Sequence, residues 1–113
     1  MKVIRIGEVP KEVAGTASFI GGQVTRQTLI GPQGSRFFSM AVVNFSPGAR
    51  NNFHVHTSDQ ILIVTAGEGI VATEVEEQVV GMGDVIHIPV GERHWHGATG
   101  NSAFSHITLT APG

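Results

Sequence analysis

Short apolar runs, rich in valine, isoleucine, threonine and phenylalanine, alternate along the chain with glycine-containing turns. β-Branched and aromatic residues favour extended backbone, and glycine interrupts regular structure. No segment keeps a helical period, and the closest, residues 10–13, amounts to one turn at best. The pattern is therefore all-β, and the regular spacing of the turns predicts a sandwich or a closed barrel. The predicted strands are Val3–Ile6, Thr16–Ile20, Val24–Ile30, Phe37–Phe45, His54–His56, Gln60–Ala66, Ile70–Val75, Gln78–Val80, Val85–Ile88 and Ala103–Thr110.

Two-residue alternation decides which side chains share a face of a strand. Residues 61–64 are all apolar, which predicts that their strand is covered on both faces, by an interior on one side and by a second sheet or subunit on the other. Met40, Val42 and Asn44 share one parity of their strand and are candidates for lining a pocket.

Length and charge restrict the class of protein. At 113 residues the chain has the length of one domain, so we predict a single domain over residues 1–113. The formal net charge is −2 and the 7 lysines and arginines form no basic run, which argues against nucleic acid or an anionic membrane as a partner. Charges and a proline interrupt the apolar residues near the N-terminus, so we expect no signal peptide, no membrane span and a cytoplasmic location.

The chain contains no cysteine. Disulfides, thiolate metal ligands and cysteine nucleophiles are therefore excluded. Any metal site must be built from histidine, carboxylate or amide groups.

The segment that precedes the apolar run carries two histidines one residue apart. It fits the pattern Gly-x5-His-x-His-x3-Glu-x6-Gly at Gly48, His54, His56, Gln60 and Gly67, with glutamine standing where the pattern has glutamate. On an extended backbone the two histidines point the same way, because strand side chains repeat every two residues. They form the first half of a candidate site.

A second segment fits the pattern Gly-x5-Pro-x-Gly-x2-His at Gly83, Pro89, Gly91 and His94, with Ala98 where the pattern has asparagine. Proline and glycine are turn residues, which return the chain so that His94 faces the first two histidines. Together the two segments resemble the two motifs of the cupin family. The resemblance implies a single-domain cupin jelly-roll β-barrel that holds one divalent metal ion per chain through residues of both motifs.

The candidate metal ligands are His54, His56, Gln60 and His94. Three imidazoles and one oxygen donor leave open positions on an octahedral ion, and imidazole suits manganese, iron, nickel, copper or zinc. A neutral amide in place of a carboxylate leaves the metal centre one unit more positive, which favours anionic ligands and weakens metal retention. In the alternative interpretation, Gln60 only hydrogen-bonds a metal ligand, and the histidines are hydrogen-bonded core residues.

Gln60, Trp95, His96 and His106 also resemble residues of a subgroup of small cupins, some of which are manganese-dependent hydroxynitrile lyases. This resemblance favours manganese, with iron, nickel or zinc as alternatives. It implies a metal-dependent carbon–carbon lyase that acts on a small-molecule substrate. Two alternatives stay open: a dioxygenase that uses O2 at the open metal positions, and a non-enzymatic domain that binds a small ligand.

His96 and His106 are the candidate catalytic residues. On a regular strand His96 shares the face of His94, and its alternative is a solvent-facing position at the end of a loop. His106 shares a face with Phe104 and Thr108, and its alternative is a hydrogen-bonded core histidine. An imidazole near the metal suits a general base, because its unperturbed pKa lies near neutrality. We predict that His106, with His96, moves protons.

Trp95 alternates against His94 and His96, which predicts that it packs outside the cavity against another sheet or subunit. The apolar run at 61–64 gives a second surface that another subunit could cover. The predicted strand Val3–Ile6 gives a strand edge that could pair across subunits. These features together predict a homodimer.

Overall fold

A computed structural model of the chain describes residues 1–15 and 18–111. Within these ranges Ile6–Glu8 forms a short 3-10 helix, and no helix is long and apolar enough to cross a membrane. The strands are β1 (Glu12–Val13), β2 (Phe19–Ile20), β3 (Val24–Ile30), β4 (Ser39–Phe45), β5 (Arg50–Asn51), β6 (Gln60–Thr73), β7 (Glu77–Gly81), β8 (Val85–Ile88), β9 (His94–Ala98) and β10 (Phe104–Thr110).

Strand β6 joins the two layers of the molecule. Its first half pairs with β8 and β10, and its second half pairs with β7 and β9. The order of hydrogen-bonded strands is β1-β3-β4-β10-β6-β9-β5-β2, with antiparallel neighbours throughout this path. The sheet curls into a jelly-roll β-barrel, which confirms the predicted fold class.

A break that the sequence predicted at Gly67 is instead a kink within one strand of 14 residues. Gly67 has a φ of 74°, a left-handed conformation that glycine adopts without steric penalty. A Cβ atom at this position would overlap the carbonyl oxygen of Ala103. Glycine therefore lets β6 bend and change partners without ending.

Inward side chains at one end of the barrel form an apolar core, which we call the apolar half. Val24, Val64, Phe45 and Phe104 are buried members of this cluster. The ring centroids of Phe45 and Phe104 lie 5.7 Å apart. Burying a large apolar side chain stabilises a fold by about 1.5–3 kcal/mol, so this half supplies much of the driving force for folding.

The odd-numbered residues of strand β4 face the interior, whereas the prediction placed the even-numbered residues there. Val43 lies in the cavity wall, opposite His106 on β10. Met40, Val42 and Asn44 therefore lie on the outer face of the strand. Both parities of this strand carry apolar residues, so alternation alone did not distinguish the inner face from the outer one.

Local strand predictions were right where the apolar signal was strong. Val24–Ile30 and Val85–Ile88 match the observed strands residue for residue. The predicted strand Val3–Ile6 was wrong, because the only regular structure there is the 3-10 helix beginning at Ile6. Strand β2 begins at Phe19, and Thr16, where the prediction began, lies outside the described residues.

The two segments that carry the histidines differ from the predicted strands. Residues 54–56 form no strand, although His54 makes an isolated bridge with His94. In contrast, His94–Ala98 forms β9, which was not among the predicted strands. Its pairing with the second half of β6 imposes the extended conformation.

Candidate metal centre

Three histidines meet at the other end of the barrel interior. His54 and His56 lie in the segment between β5 and β6, and His94 begins β9. One nitrogen from each ring lies within 4.8 Å of the others. The ring centroids of His54 and His94 are 4.3 Å apart, and those of His54 and His56 are 4.9 Å apart. The structure thus brings together the three histidines that the sequence motifs singled out.

Backbone hydrogen bonds hold this cluster in place. The His54 N–H donates to the carbonyl of His94 at 2.9 Å, and the His94 N–H donates back to His54 at 3.0 Å. The Gly91 N–H donates to the carbonyl of His56 at 3.2 Å, and Gly91 adopts a φ of 81° in the turn before β9. The second motif therefore anchors the first directly.

Carbonyl oxygens fix which ring nitrogen of two histidines carries the proton. His54 Nδ1 lies 2.7 Å from the Asn52 carbonyl oxygen, and His94 Nδ1 lies 2.8 Å from the Glu92 carbonyl oxygen. A carbonyl only accepts, so each Nδ1 carries the hydrogen and each Nε2 presents a lone pair. This is the arrangement by which carbonyl partners orient histidines that ligate metals.

His56 supplies the clearest indication that a cation fits here. Its Nε2 atom is buried and has no hydrogen-bond partner among the described residues. A buried nitrogen without a partner is destabilising. A metal ion bound beside His54 and His94 would provide that partner.

Gln60, at the start of β6, completes the donor set. Its Nε2 donates to Thr108 Oγ1 at 2.7 Å, which directs its Oε1 toward His94 Nε2 at 3.1 Å. The glutamine oxygen and the His94 nitrogen both carry lone pairs in this orientation, so both can face a bound cation. The side chains of His54, His56, Gln60 and His94 therefore fit a metal ion.

Burial keeps two of these histidines neutral, which is the form that binds metals. Burial lowers the pKa of His56, the neighbouring His54 and His94 lower it further, and the side chain of Gln60 opposes these shifts. Burial also lowers the pKa of His94, while the Glu92 carbonyl opposes that shift.

The histidine cluster opens into a cavity of about 420 Å³, which also exposes His96, His106 and Asn51 in its wall. This volume lies in the range typical of small-molecule sites. The end of the barrel that contains the cavity and the histidines is called the histidine half below.

A buried chain of hydrogen bonds joins Asn51, His96 and His106. The Asn51 Nδ2 atom lies 3.2 Å from His96 Nε2, and His96 Nδ1 lies 3.2 Å from His106 Nε2. The amide nitrogen of Asn51 only donates, so His96 accepts at Nε2 and donates from Nδ1 to His106. Asn51 Oδ1 also accepts the backbone N–H of His96 at 2.8 Å.

Both of these histidines are neutral at pH 7. Burial lowers the pKa of His96 well below its ordinary value, and the neighbouring His106 lowers it further. Burial lowers the pKa of His106 to about 4. Each can therefore accept a proton during a reaction and release it readily afterwards.

Asn51 was not among the residues predicted from the sequence. It lies on a strand of only two residues, Arg50–Asn51, which is too short to show an alternation of apolar and polar side chains. The one available signal was its position inside the first motif, between Gly48 and His54.

Trp95 lies outside the wall of the cavity and is 9% exposed. The guanidinium carbon of Arg50 lies 3.8 Å from the centre of its ring system. The tryptophan that the sequence assigned to another sheet or subunit is thus covered by a cation from its own chain.

A family model described as a cupin domain matches residues 41–109. The chain belongs to the cupin family. It is 37% identical to (R)-mandelonitrile lyase of Granulicella tundricola, over 96% of this chain and 83% of that protein.

Solved structures agree with the fold. A cupin-like protein from Thermotoga maritima is 30% identical, with a TM-score of 0.82, over 97% of this chain and 80% of that chain. The polyketide cyclase RemF from Streptomyces resistomycificus is 22% identical, with a TM-score of 0.88, over 100% of this chain and 80% of that chain. Cupin membership and the three-histidine group together support a metal-dependent cupin protein.

Proposed function

We propose that this protein is a metal-dependent carbon–carbon lyase of the hydroxynitrile lyase type. The observation that carries the proposal is the placement of a neutral histidine pair, His96 and His106, in the same cavity as a three-histidine metal site. The similarity to a mandelonitrile lyase along 96% of the chain supports the choice of reaction.

The residues that would hold the metal are His54, His56, His94 and Gln60. We propose manganese as the ion, with iron, nickel or zinc as alternatives. A divalent ion bound there supplies Lewis-acid polarisation of a hydroxyl or carbonyl oxygen.

In the cleavage direction, a cyanohydrin loses its hydroxyl proton, and its carbon–carbon bond breaks with the electron pair leaving on cyanide. An aldehyde remains, and the cyanide is protonated. His96 and His106 handle the proton in this scheme. A proton is accepted at His96 Nε2 once Asn51 Nδ2 releases that lone pair, and it displaces the Nδ1 proton of His96 toward His106 Nε2, which lies 3.2 Å away. His106 then holds the charge until the proton returns to cyanide.

The test is cleavage of a panel of cyanohydrins, including mandelonitrile, by the manganese-loaded protein, measured as aldehyde formation. The expected result is a rate above that of free manganese at the same concentration. No rate above free metal on any member of the panel would contradict the lyase. Oxygen uptake in the same assay would favour the dioxygenase instead, and ligand binding without turnover would favour the non-enzymatic alternative.

We also propose that the protein is a homodimer in which the outer face of the sheet is covered. Ile107, Ile63 and Val85 follow one another across three neighbouring strands in register, and they share the outer face. Such a row of apolar side chains favours burial against a second copy. Light scattering at micromolar concentration should give twice the chain mass of 11.9 kDa, and a mass near the single-chain value would contradict the dimer.

A further inference from the structure

The cavity carries positive charge without a matching negative group. Among the described residues of its wall there is no aspartate or glutamate, and the one fixed cation is Arg26 on β3. The candidate metal ligands are neutral imidazoles and a neutral amide, so a bound divalent ion would add to the positive charge. Arg26 is itself exposed to solvent, and positive charge that lines a cavity attracts anionic ligands.

Arg26 is held at the wall by its strand and is not engaged by a carboxylate. In register it lies between Val43 of β4 and Glu12 of β1. Glu12 lies directly across from it without forming an ion pair, and the ion pair found among the described residues is His87–Asp59. The guanidinium therefore keeps its donors for a ligand.

Only strand β4 separates Arg26 from His106, the candidate base. Val43, its neighbour on β4, lies opposite His106 on β10. Burial is the main cause of the lowered pKa of His106, a backbone hydrogen bond at Ile107 opposes it, and the positive charge of Arg26 lowers the pKa further. A group bound by Arg26 thus lies in the part of the cavity where protons would be moved.

We propose that Arg26 binds a carboxylate of the substrate, so that the cavity takes small hydroxy or oxo acids rather than neutral cyanohydrins alone. The inference rests on the proposed function in one respect: the hydroxyl or carbonyl end of the ligand is assigned to the three-histidine site. Guanidinium matches a carboxylate with two parallel hydrogen bonds, and charge-assisted bonds of this type are the strongest that a side chain offers. A neutral nitrile would serve as a surrogate substrate and leave Arg26 without a partner.

The experiment compares two ligands that share a carbinol and an aromatic ring. Mandelate carries a carboxylate, and mandelamide carries a neutral amide in its place. Calorimetric titration of each into the manganese-loaded protein gives the ratio of the two dissociation constants. The variants are Arg26→Gln, which removes the charge, and Arg26→Lys, which keeps the charge without the planar pair of donors. Arg36→Gln is the matched control, because Arg36 is exposed and lies outside the cavity wall.

The wild type and Arg36→Gln should bind mandelate about 10-fold or more tightly than mandelamide, the scale of one partly exposed charge-assisted pair. Arg26→Gln should lose most of that preference, Arg26→Lys should lose part of it, and mandelamide binding and metal content should be unchanged. A preference that persists in Arg26→Gln would show that the metal alone selects the carboxylate, and equal weakening of both ligands would show a structural role. Either result overturns the assignment of Arg26.

The binding ratio is independent of turnover, so the two proposals fail separately. If Arg26 selects carboxylates but the protein does not cleave cyanohydrins, the lyase proposal fails and the assignment of Arg26 stands. If the protein cleaves cyanohydrins but does not select carboxylates, the assignment of Arg26 fails and the lyase proposal stands.

Discussion

The apolar half and the histidine half occupy opposite ends of the same barrel, yet they are built from the same strands. Along β10, the inward residues run from Phe104 through His106 to Thr108. The phenylalanine belongs to the apolar core, the histidine lines the cavity, and the threonine hydrogen-bonds Gln60. Two residues along one strand therefore separate a packed core from a polar site, and the site differs from the core in side chains rather than in backbone.

The boundary between the two halves is the ring of Phe45. Its centroid lies 5.7 Å from that of Phe104 on one side, and 5.8 Å from His96 and 5.6 Å from His106 on the other. Phe45 is 2% exposed. The ring of Phe45 therefore supports the positions of His96 and His106 from the side of the apolar half.

The largest expected effect comes from breaking the metal site. His54→Ala removes one of three imidazoles and should reduce bound metal from about one ion per chain to nearly none. Elemental analysis of protein prepared without chelator measures this. His87→Ala is the matched control, because His87 lies outside the cavity and pairs with Asp59. A His54 variant with the metal content of the wild type would contradict the ligand assignment.

Phe104→Ala tests the contribution of the apolar half to stability. The truncation leaves a cavity in the apolar core, so the free energy of unfolding should fall by about 3–5 kcal/mol. Chemical denaturation measures the change, and Phe37→Ala, at a position 65% exposed, should change it by less than about 0.5 kcal/mol. Metal content of the folded variant should stay at the wild-type value; a loss of metal would mean that the two halves are coupled more closely than their contacts suggest.

His106→Gln tests the role of the histidine pair while keeping a polar side chain of similar size. Cyanohydrin cleavage should fall by about 10²-fold or more, the usual scale for loss of a general base. Metal content should not change, because His106 is not a candidate ligand. Full activity in this variant would remove His106 from the mechanism, whereas His87→Gln should leave the rate unchanged.

Gln60→Glu should give the smallest effect, an increase in metal affinity of about 10-fold, since a carboxylate ligand neutralises part of the charge of the ion. Competition with a chelator of known affinity measures it. Thr108→Val, which removes the hydroxyl that accepts from Gln60, is the companion variant and should weaken metal binding by misorienting the amide. An unchanged affinity in Gln60→Glu would place Gln60 outside the metal's coordination sphere.

The sequence predicted the parts of the site that follow from local spacing. Two histidines one residue apart, and a third after a proline and a glycine, were sufficient to name His54, His56 and His94. The positions of several strands, such as Val24–Ile30 and Val85–Ile88, also followed from punctuation by glycine. In both cases the information lies within a few residues of the feature that it predicts.

The parts that were missed depend on contacts between distant strands. Strand β9 has no apolar alternation, and its extended form comes from pairing with residues 69–73 of β6. Asn51 reaches His96, a residue 45 positions away in the sequence. Arg26 enters the cavity wall only because β3 pairs with β4, and no periodicity in its own strand indicates that position.

Strand β6 affects how the protein unfolds. It hydrogen-bonds to β8 and β10 before Gly67 and to β7 and β9 after it, so neither layer has a complete set of partners without the other. Because β6 belongs to both layers, unfolding of either layer removes backbone partners of β6 and destabilises the other layer. Amide hydrogens of the histidine half and the apolar half should therefore exchange in a single global event.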